Sequence, residues 1–223
     1  MELMVVVILV GILTVMAMPT MAEAHYSART LDDATRIAEL YRTARTRALG
    51  RGAAMLVQGA SLNGYGTFNA APTAASGGLG VFFLYEAQVA GTGIAGAGLP
   101  LPGGSPLSSC GAPTTVWANI IANATSSLID EVTLNTTGEA DAQIWSTFND
   151  GSANAPTSTS LCFTPLGRAY YQATSTPVFT PGAGLLHGEL QIAVQRSGLS
   201  GPVTGLTRTV IVPDSGSTRI VSR

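Results

Sequence analysis

Two histidines and two cysteines are the chain's only imidazoles and thiols, and none of the four stands in a strong catalytic pattern. His187-Gly188-Glu189 puts an imidazole two positions from a carboxylate, a pair that could move a proton. No Gly-x-Ser-x-Gly nucleophile motif accompanies it, so His187 reads as a loop or strand-end residue. His25 stands beside Tyr26 and reads as structural or exposed. Gly91-Thr92-Gly93-Ile94-Ala95-Gly96 spells a dinucleotide fingerprint, but no helical segment follows to receive a phosphate. Asp150-Gly151-Ser152-Ala153-Asn154 offers calcium-type oxygens without the later Glu that an EF-hand loop needs, and reads as a turn. Asn123-Ala124-Thr125 and Asn135-Thr136-Thr137 are glycosylation sequons by pattern, in a Thr-rich chain where such matches arise by chance. The expectation is a protein that is not an enzyme, with no cofactor and no metal.

Composition points away from several further classes. Charged residues are 11% of the 223, against ~25% in an average soluble domain, and the net charge is −2. All 11 basic residues are Arg, too sparse and too balanced by acids for general electrostatic binding of nucleic acid. The 46% apolar content argues against disorder despite abundant Gly, Ser and Thr.

The charges that exist are unevenly placed. Residues 1–19 carry one, Glu2, while 20–52 hold four acids and six Arg. Leu3–Met18 is almost unbroken apolar sequence, interrupted only by Gly11 and Thr14. Sixteen helical residues span ~24 Å, slightly short of a ~30 Å hydrocarbon core. Ala22-Glu23-Ala24 has the shape of a signal-peptide cleavage site, but no basic residue precedes the apolar run. Glu2 at its edge either rests at headgroup level, favoured by the helix dipole, or awaits a positive partner on another chain.

Glu2, Gly11 and Pro19 keep intervals of nine and seventeen residues, and the intervening Leu3–Val10 is apolar. This arrangement resembles the N-terminus of type IV pilins and type II secretion pseudopilins. In that family the Glu is the fifth mature residue, so the resemblance implies three mature residues and a basic leader ending in Gly ahead of Glu2. It also implies assembly roles for Glu2, Gly11 and Pro19, with a helix that bends or loses hydrogen bonds between Gly11 and Pro19. A narrower likeness is to GspH/FimT-like pseudopilins, through Tyr41–Gly52, Cys162–Arg168 and the strands around Arg208–Val212 and Arg219–Val221. Some FimT-like minor pilins bind DNA through a C-terminal Gly-Arg-x-Arg. Here Gly216-Ser217-Thr218-Arg219 keeps half of that motif, with Arg219 its remaining candidate DNA contact and Ser217 in place of the first Arg; DNA is not expected as a partner. An exported pilin-like domain matures where thiols oxidise, which implies a Cys110–Cys162 disulfide; two buried free thiols are the alternative, and a C-x-x-C site is excluded by the spacing.

Positioning these residues requires two parts. Residues 1–52 read as the pilin helix, a membrane segment and then a filament core. Beyond Thr20 a stripe recurs at Met21, Ala24, Ala28, Leu31, Ala34, Ala38, Tyr41, Ala44 and Ala48, with Asp32 and Arg36 spaced as an ion pair and Gly50-Arg51-Gly52 as the stop. Arg42, Arg45, Arg47 and Arg51 cluster at its end, read as a solvated helix terminus. Residues 53–223 read as a β-rich globular domain. Strands are expected at Ala54–Gln58, Val81–Gln88, Val116–Asn123, Leu128–Asn135, Gln143–Phe148, Leu161–Thr164, Glu189–Gln195, Thr207–Val212 and Arg219–Ser222. The expected fold class is α+β, a long N-terminal helix packed on an antiparallel β-sheet or β-sandwich-like domain. The implied function is a structural subunit of a type IV pilus-like or type II secretion-type filament. It would be held in the inner membrane before assembly, served by a prepilin peptidase and assembly machinery, and displayed outside the cell as a helical homo-oligomer. The alternatives are a minor pseudopilin that primes assembly or binds DNA at a filament tip, and a membrane-anchored periplasmic enzyme, which would need a polar cleft.

Overall fold

A computed structural model describes residues 2–62, 79–87, 109–111, 117, 128–134, 143–149, 158–173, 179, 186, 188–197, 203–215 and 217–222. The Gly91–Gly96 run, Asp150–Asn154, Asn123, Asn135, His187 and Gly216 lie outside the described residues, as does the expected strand at Val116–Asn123 apart from Trp117.

The described chain is mostly antiparallel β-sheet. After the helix α1 (Glu2–Arg51) come β1 (Met55–Leu62), β2 (Leu79–Glu86), β3 (Leu128–Thr133), β4 (Gln143–Asn149), β5 (Ser158–Phe163), β6 (Ala169–Gln172), β7 (Glu189–Ser197), β8 (Val203–Pro213) and β9 (Arg219–Ser222). They form two sheets, one ordered β3-β2-β1-β5-β6 and the other β4-β7-β8-β9. This corrects the expected α+β class. No long N-terminal helix lies packed on a sheet: only the Ser27–Arg51 part of α1 packs, and the β-sheets make up most of the rest. The physical reason is coverage. Both sheets turn an apolar face toward the same stretch of α1, and that stretch alone suffices to close the core between them.

Alternation along the strands builds this core. Met55 and Val57 of β1, Leu161 and Phe163 of β5, and Phe82 and Leu84 of β2 point to one side of the first sheet. Leu190, Ile192 and Val194 of β7 and Val210 and Val212 of β8 come from the second. Ala34, Ile37, Ala38, Leu40, Tyr41, Ala44 and Ala48 of α1 close the same cluster. The alanines let the helix backbone approach the strands, and Ile37 and Leu40 each contribute ~1.5–3 kcal/mol by leaving water. The first sheet is buried on its other face too, where Ala54, Leu56, Tyr85 and Cys162 meet Cys110, Trp117 and Phe179. Met55–Gly59 of β1 and all of β5 are therefore buried on both faces.

Two glycines are required by geometry. Gly52 stops α1 with φ of 67° and donates its N–H to the Ala48 carbonyl at 3.2 Å, which satisfies one of the orphan acceptors of the last turn. Gly59 on β1 lies so close to its neighbours that an added Cβ would sit 2.9 Å from the Phe82 ring and 3.0 Å from the Thr159 hydroxyl. Any side chain there would have to displace the Phe82 ring of β2 and the Thr159 hydroxyl of β5.

Candidate functional site

Among the described residues, the first half of α1 carries most of the exposed large apolar side chains. Met4 keeps 75% of its surface, Val7 61% and Met21 74%, and Val6, Val10 and Ile12 are exposed as well. Single exposed apolar residues are ordinary, but six on one helical arm are a surface that calls for a cover. Glu2, Gly11 and Pro19 all lie on this arm. The backbone is helical through all three. Around Gly11 a Cβ would meet nothing within 4 Å. Among the described residues, no helix is long and apolar enough to cross a membrane.

Cys110 and Cys162 are joined, with sulfurs 2.10 Å apart and Cα atoms 5.9 Å apart. Cys162 belongs to β5, and its side chain points away from α1 into the second cluster. The bond therefore clamps the Ser109–Gly111 turn onto the outer face of the first sheet. The Trp117 indole N–H donates to the Cys110 carbonyl at 3.1 Å, and the Gly111 N–H donates to the Ser109 hydroxyl at 3.1 Å. Tyr85 lies in the same cluster; burial, with the Glu131 carboxylate adding to it, pushes its phenol up to about 12.

The arginines are mostly engaged. Arg219, the candidate DNA contact, sits 3.5 Å from the Glu189 carboxylate on β7. That pairing offsets the charge that a phosphate would need. Arg42 donates to the Thr218 carbonyl at 2.8 Å, and Arg51 meets the nearly buried Glu86 of β2 at 3.1 Å. Arg208 of β8 donates to Ser27 of α1 at 3.4 Å and to Ser222 of β9. Two of the four arginines at the helix end thus hold α1 to the strands. The structure keeps the assembly residues, the disulfide and Arg219 in three separate places.

Two polar groups of α1 are buried: Asp33, outside the expected stripe, and Tyr41, on it. Asp33 is buried, and that burial pushes its carboxyl up to about 6, with Arg36 and Arg29 opposing the shift and Asp32 adding to it. Arg36 lies 3.9 Å from Asp33, in place of the expected pairing with Asp32. Tyr41 is fully buried, and its hydroxyl faces that of Thr159 without closing a hydrogen bond of normal geometry. Burial drives that phenol well above the usual range, with Thr159 opposing it. The helical period puts both on the Ala34–Ile37–Ala44 side, so the burial of Asp33 was readable from the same spacing that places Tyr41 on the stripe.

Among the described residues, no group of three or more His, Cys, Asp or Glu side chains could hold a metal ion. No family model, no curated protein and no solved structure matches this chain.

Proposed function

We propose that the chain is a structural subunit of a type IV pilus-like or type II secretion-type filament, polymerising through its N-terminal apolar helix. The observation that carries this reading is the helical arm before Ser27, with Met4, Val6, Val7, Val10 and Ile12 exposed while the domain behind it has its own closed core. An apolar arm of this kind is stable in lipid, or against other apolar arms, and unfavourable in water. Before assembly the arm rests in the inner membrane. Afterwards arms of successive copies pack on one another, and the neutral β domain faces outward from the cell. The resemblance to pilins at Glu2, Gly11 and Pro19 supports the same route and implies a prepilin peptidase and assembly machinery as partners. The DNA-capturing alternative rests on Arg219, and the Glu189 partner of that residue weighs against it.

Glu2 supplies the test. In an apolar bundle its carboxylate would need a positive partner on a neighbouring copy, because an unpaired buried charge is strongly unfavourable. Glu2→Ala should cut filament yield, read by electron microscopy of sheared material, while the β domain keeps its fold and its disulfide. Normal filament yield from Glu2→Ala would overturn the proposal.

A further inference from the structure

The triplet Ala22-Glu23-Ala24 has no part in the assembly reading above. It sits where α1 changes use. Met21, Ala24 and His25 are exposed. No described residue of α1 before Ala34 belongs to either core cluster. Ser27, two residues past His25, receives a hydrogen bond from Arg208 of β8 at 3.4 Å, and Thr30 beyond it is buried. The bond between Ala24 and His25 therefore lies just ahead of the folded domain. Severing it would remove the apolar arm and no described core residue.

The residues around this bond suit one class of enzyme. A signal-type peptidase of the membrane takes small side chains at the first and third positions before its cut, past the end of an apolar run. Ala24 and Ala22 fill those positions, and Leu3–Met18 is the run. Ala24 stands six residues past Met18, ~9 Å along the helix, so with the run in lipid the bond lies at headgroup level, clear of the hydrocarbon. The basic residues that such a peptidase expects ahead of the run fall in the leader that the pilin resemblance implies before Glu2. A peptidase needs extended backbone, and here the backbone is helical. Pro19, five residues before Ala24, has no N–H to give that helix and crowds the carbonyl four residues back. With Met21 and Ala24 exposed, little packing opposes a local opening of this stretch.

We infer that Ala24–His25 is a processing site, cut by a membrane peptidase with pockets for small side chains, and that the cut frees the β domain from its arm. Water adds across the amide: the C–N bond breaks, Ala24 keeps the new carboxylate and His25 the new amine. The inference rests on the membrane placement of the arm in the assembly reading, and gives the chain a second fate. An uncut copy keeps the helix through which it polymerises; a cut copy leaves the membrane as a closed domain that can no longer join a filament.

The experiment uses the full chain in vesicles of phosphatidylethanolamine and phosphatidylglycerol, incubated with purified bacterial signal peptidase. Products are read by N-terminal sequencing and mass spectrometry. The expected product begins at His25, leaves the vesicles and keeps the Cys110–Cys162 bond. Ala24→Phe should slow the cut at least ~10-fold, because a pocket that fits a methyl group rejects a ring. Glu23→Gln, between the two small residues, should leave the rate unchanged. Both variants should fold, which their disulfide reports, since neither position lies in a core cluster. An intact chain after incubation, a cut at another bond, or a wild-type rate in Ala24→Phe overturns the inference. Filament formation by the uncut wild-type chain tests the assembly reading separately: filaments without a cut leave that reading standing alone, and a cut without filaments leaves only the processing site.

Discussion

The two halves of α1 are continuous in backbone and opposite in use. From Leu3 to Met18 the side chains are almost all apolar, and those described are exposed; after Ser27 charged residues alternate with Ala, Ile, Leu and Tyr41, and one face is buried to the last turn. Mean apolarity would choose the first half as the better core element, yet the core takes the second. The Ala34, Ala38, Ala44 and Ala48 face brings the helix backbone close enough for Ile37, Leu40 and Tyr41 to fill the space between two sheets. Among its described side chains, the Val- and Ile-rich half joins neither core cluster. Burial thus follows the shape of what is available to cover a face, and the apolar excess of the first half is left for something outside the fold.

The sharpest way to break this contrast is to truncate one residue in each half. Ile37→Ala should cost ~2–5 kcal/mol in chemical denaturation followed by circular dichroism, through lost burial and a residual cavity. Val7→Ala should change the same midpoint by less than ~0.5 kcal/mol, because the residue is exposed in the isolated chain. Equal effects would show that the first half packs on the domain after all.

A smaller effect sharpens the boundary between the halves. Asp33 binds its proton more tightly folded, at about 6, than unfolded, at 3.8. Its contribution therefore favours folding below pH ~4 and is lost as pH rises from ~4 to ~6. At pH 7 the buried carboxylate destabilises the fold by at most ~3 kcal/mol, since each tenfold difference in proton affinity is worth ~1.4 kcal/mol. Asp33→Asn should raise stability at pH 7 and flatten the stability profile between pH 4 and 6. A midpoint that falls at pH 7 would mean that Asp33 is held ionised by a partner. Smaller again than the Asp33 effect, Tyr41→Phe should stay within ~1 kcal/mol of wild type in thermal melts, since its hydroxyl closes no normal hydrogen bond. A loss of several kcal/mol would reveal a partner for that hydroxyl.

Much of the strand pattern was legible in the sequence because alternation and turn residues are local signals. Glu189–Gln195 and Arg219–Ser222 fall on β7 and β9, and Leu161–Thr164 overlaps β5. β6 was not foreseen: Ala169-Tyr170-Tyr171-Gln172 is too short to alternate visibly, and only its pairing with Ser160–Phe163 defines it. The helical stripe showed which face of α1 could be buried, and it ran from Met21 to Ala48. Met21, Ala24, Ala28 and Leu31 are nevertheless exposed, because periodicity carries no information on where the sheets end. The sequence leaves a single sheet and a sandwich-like pair of sheets both open, since the choice depends on pairings such as β1 with β5 across about a hundred residues. Of the site residues, the cysteine pair was legible through the compartment that the resemblance implied. The engagement of Arg219 by Glu189 was not, because thirty residues separate them along the chain.

The disulfide has a further consequence for wear. Cys110 and Cys162 are 52 positions apart, and β3 and β4 lie between them. A protease that cuts the chain once between Gly111 and Leu161 creates two pieces, each holding one of the bonded cysteines. A nicked copy would still migrate as one species until a reductant is added, and it could keep its place among its neighbours with the backbone already severed.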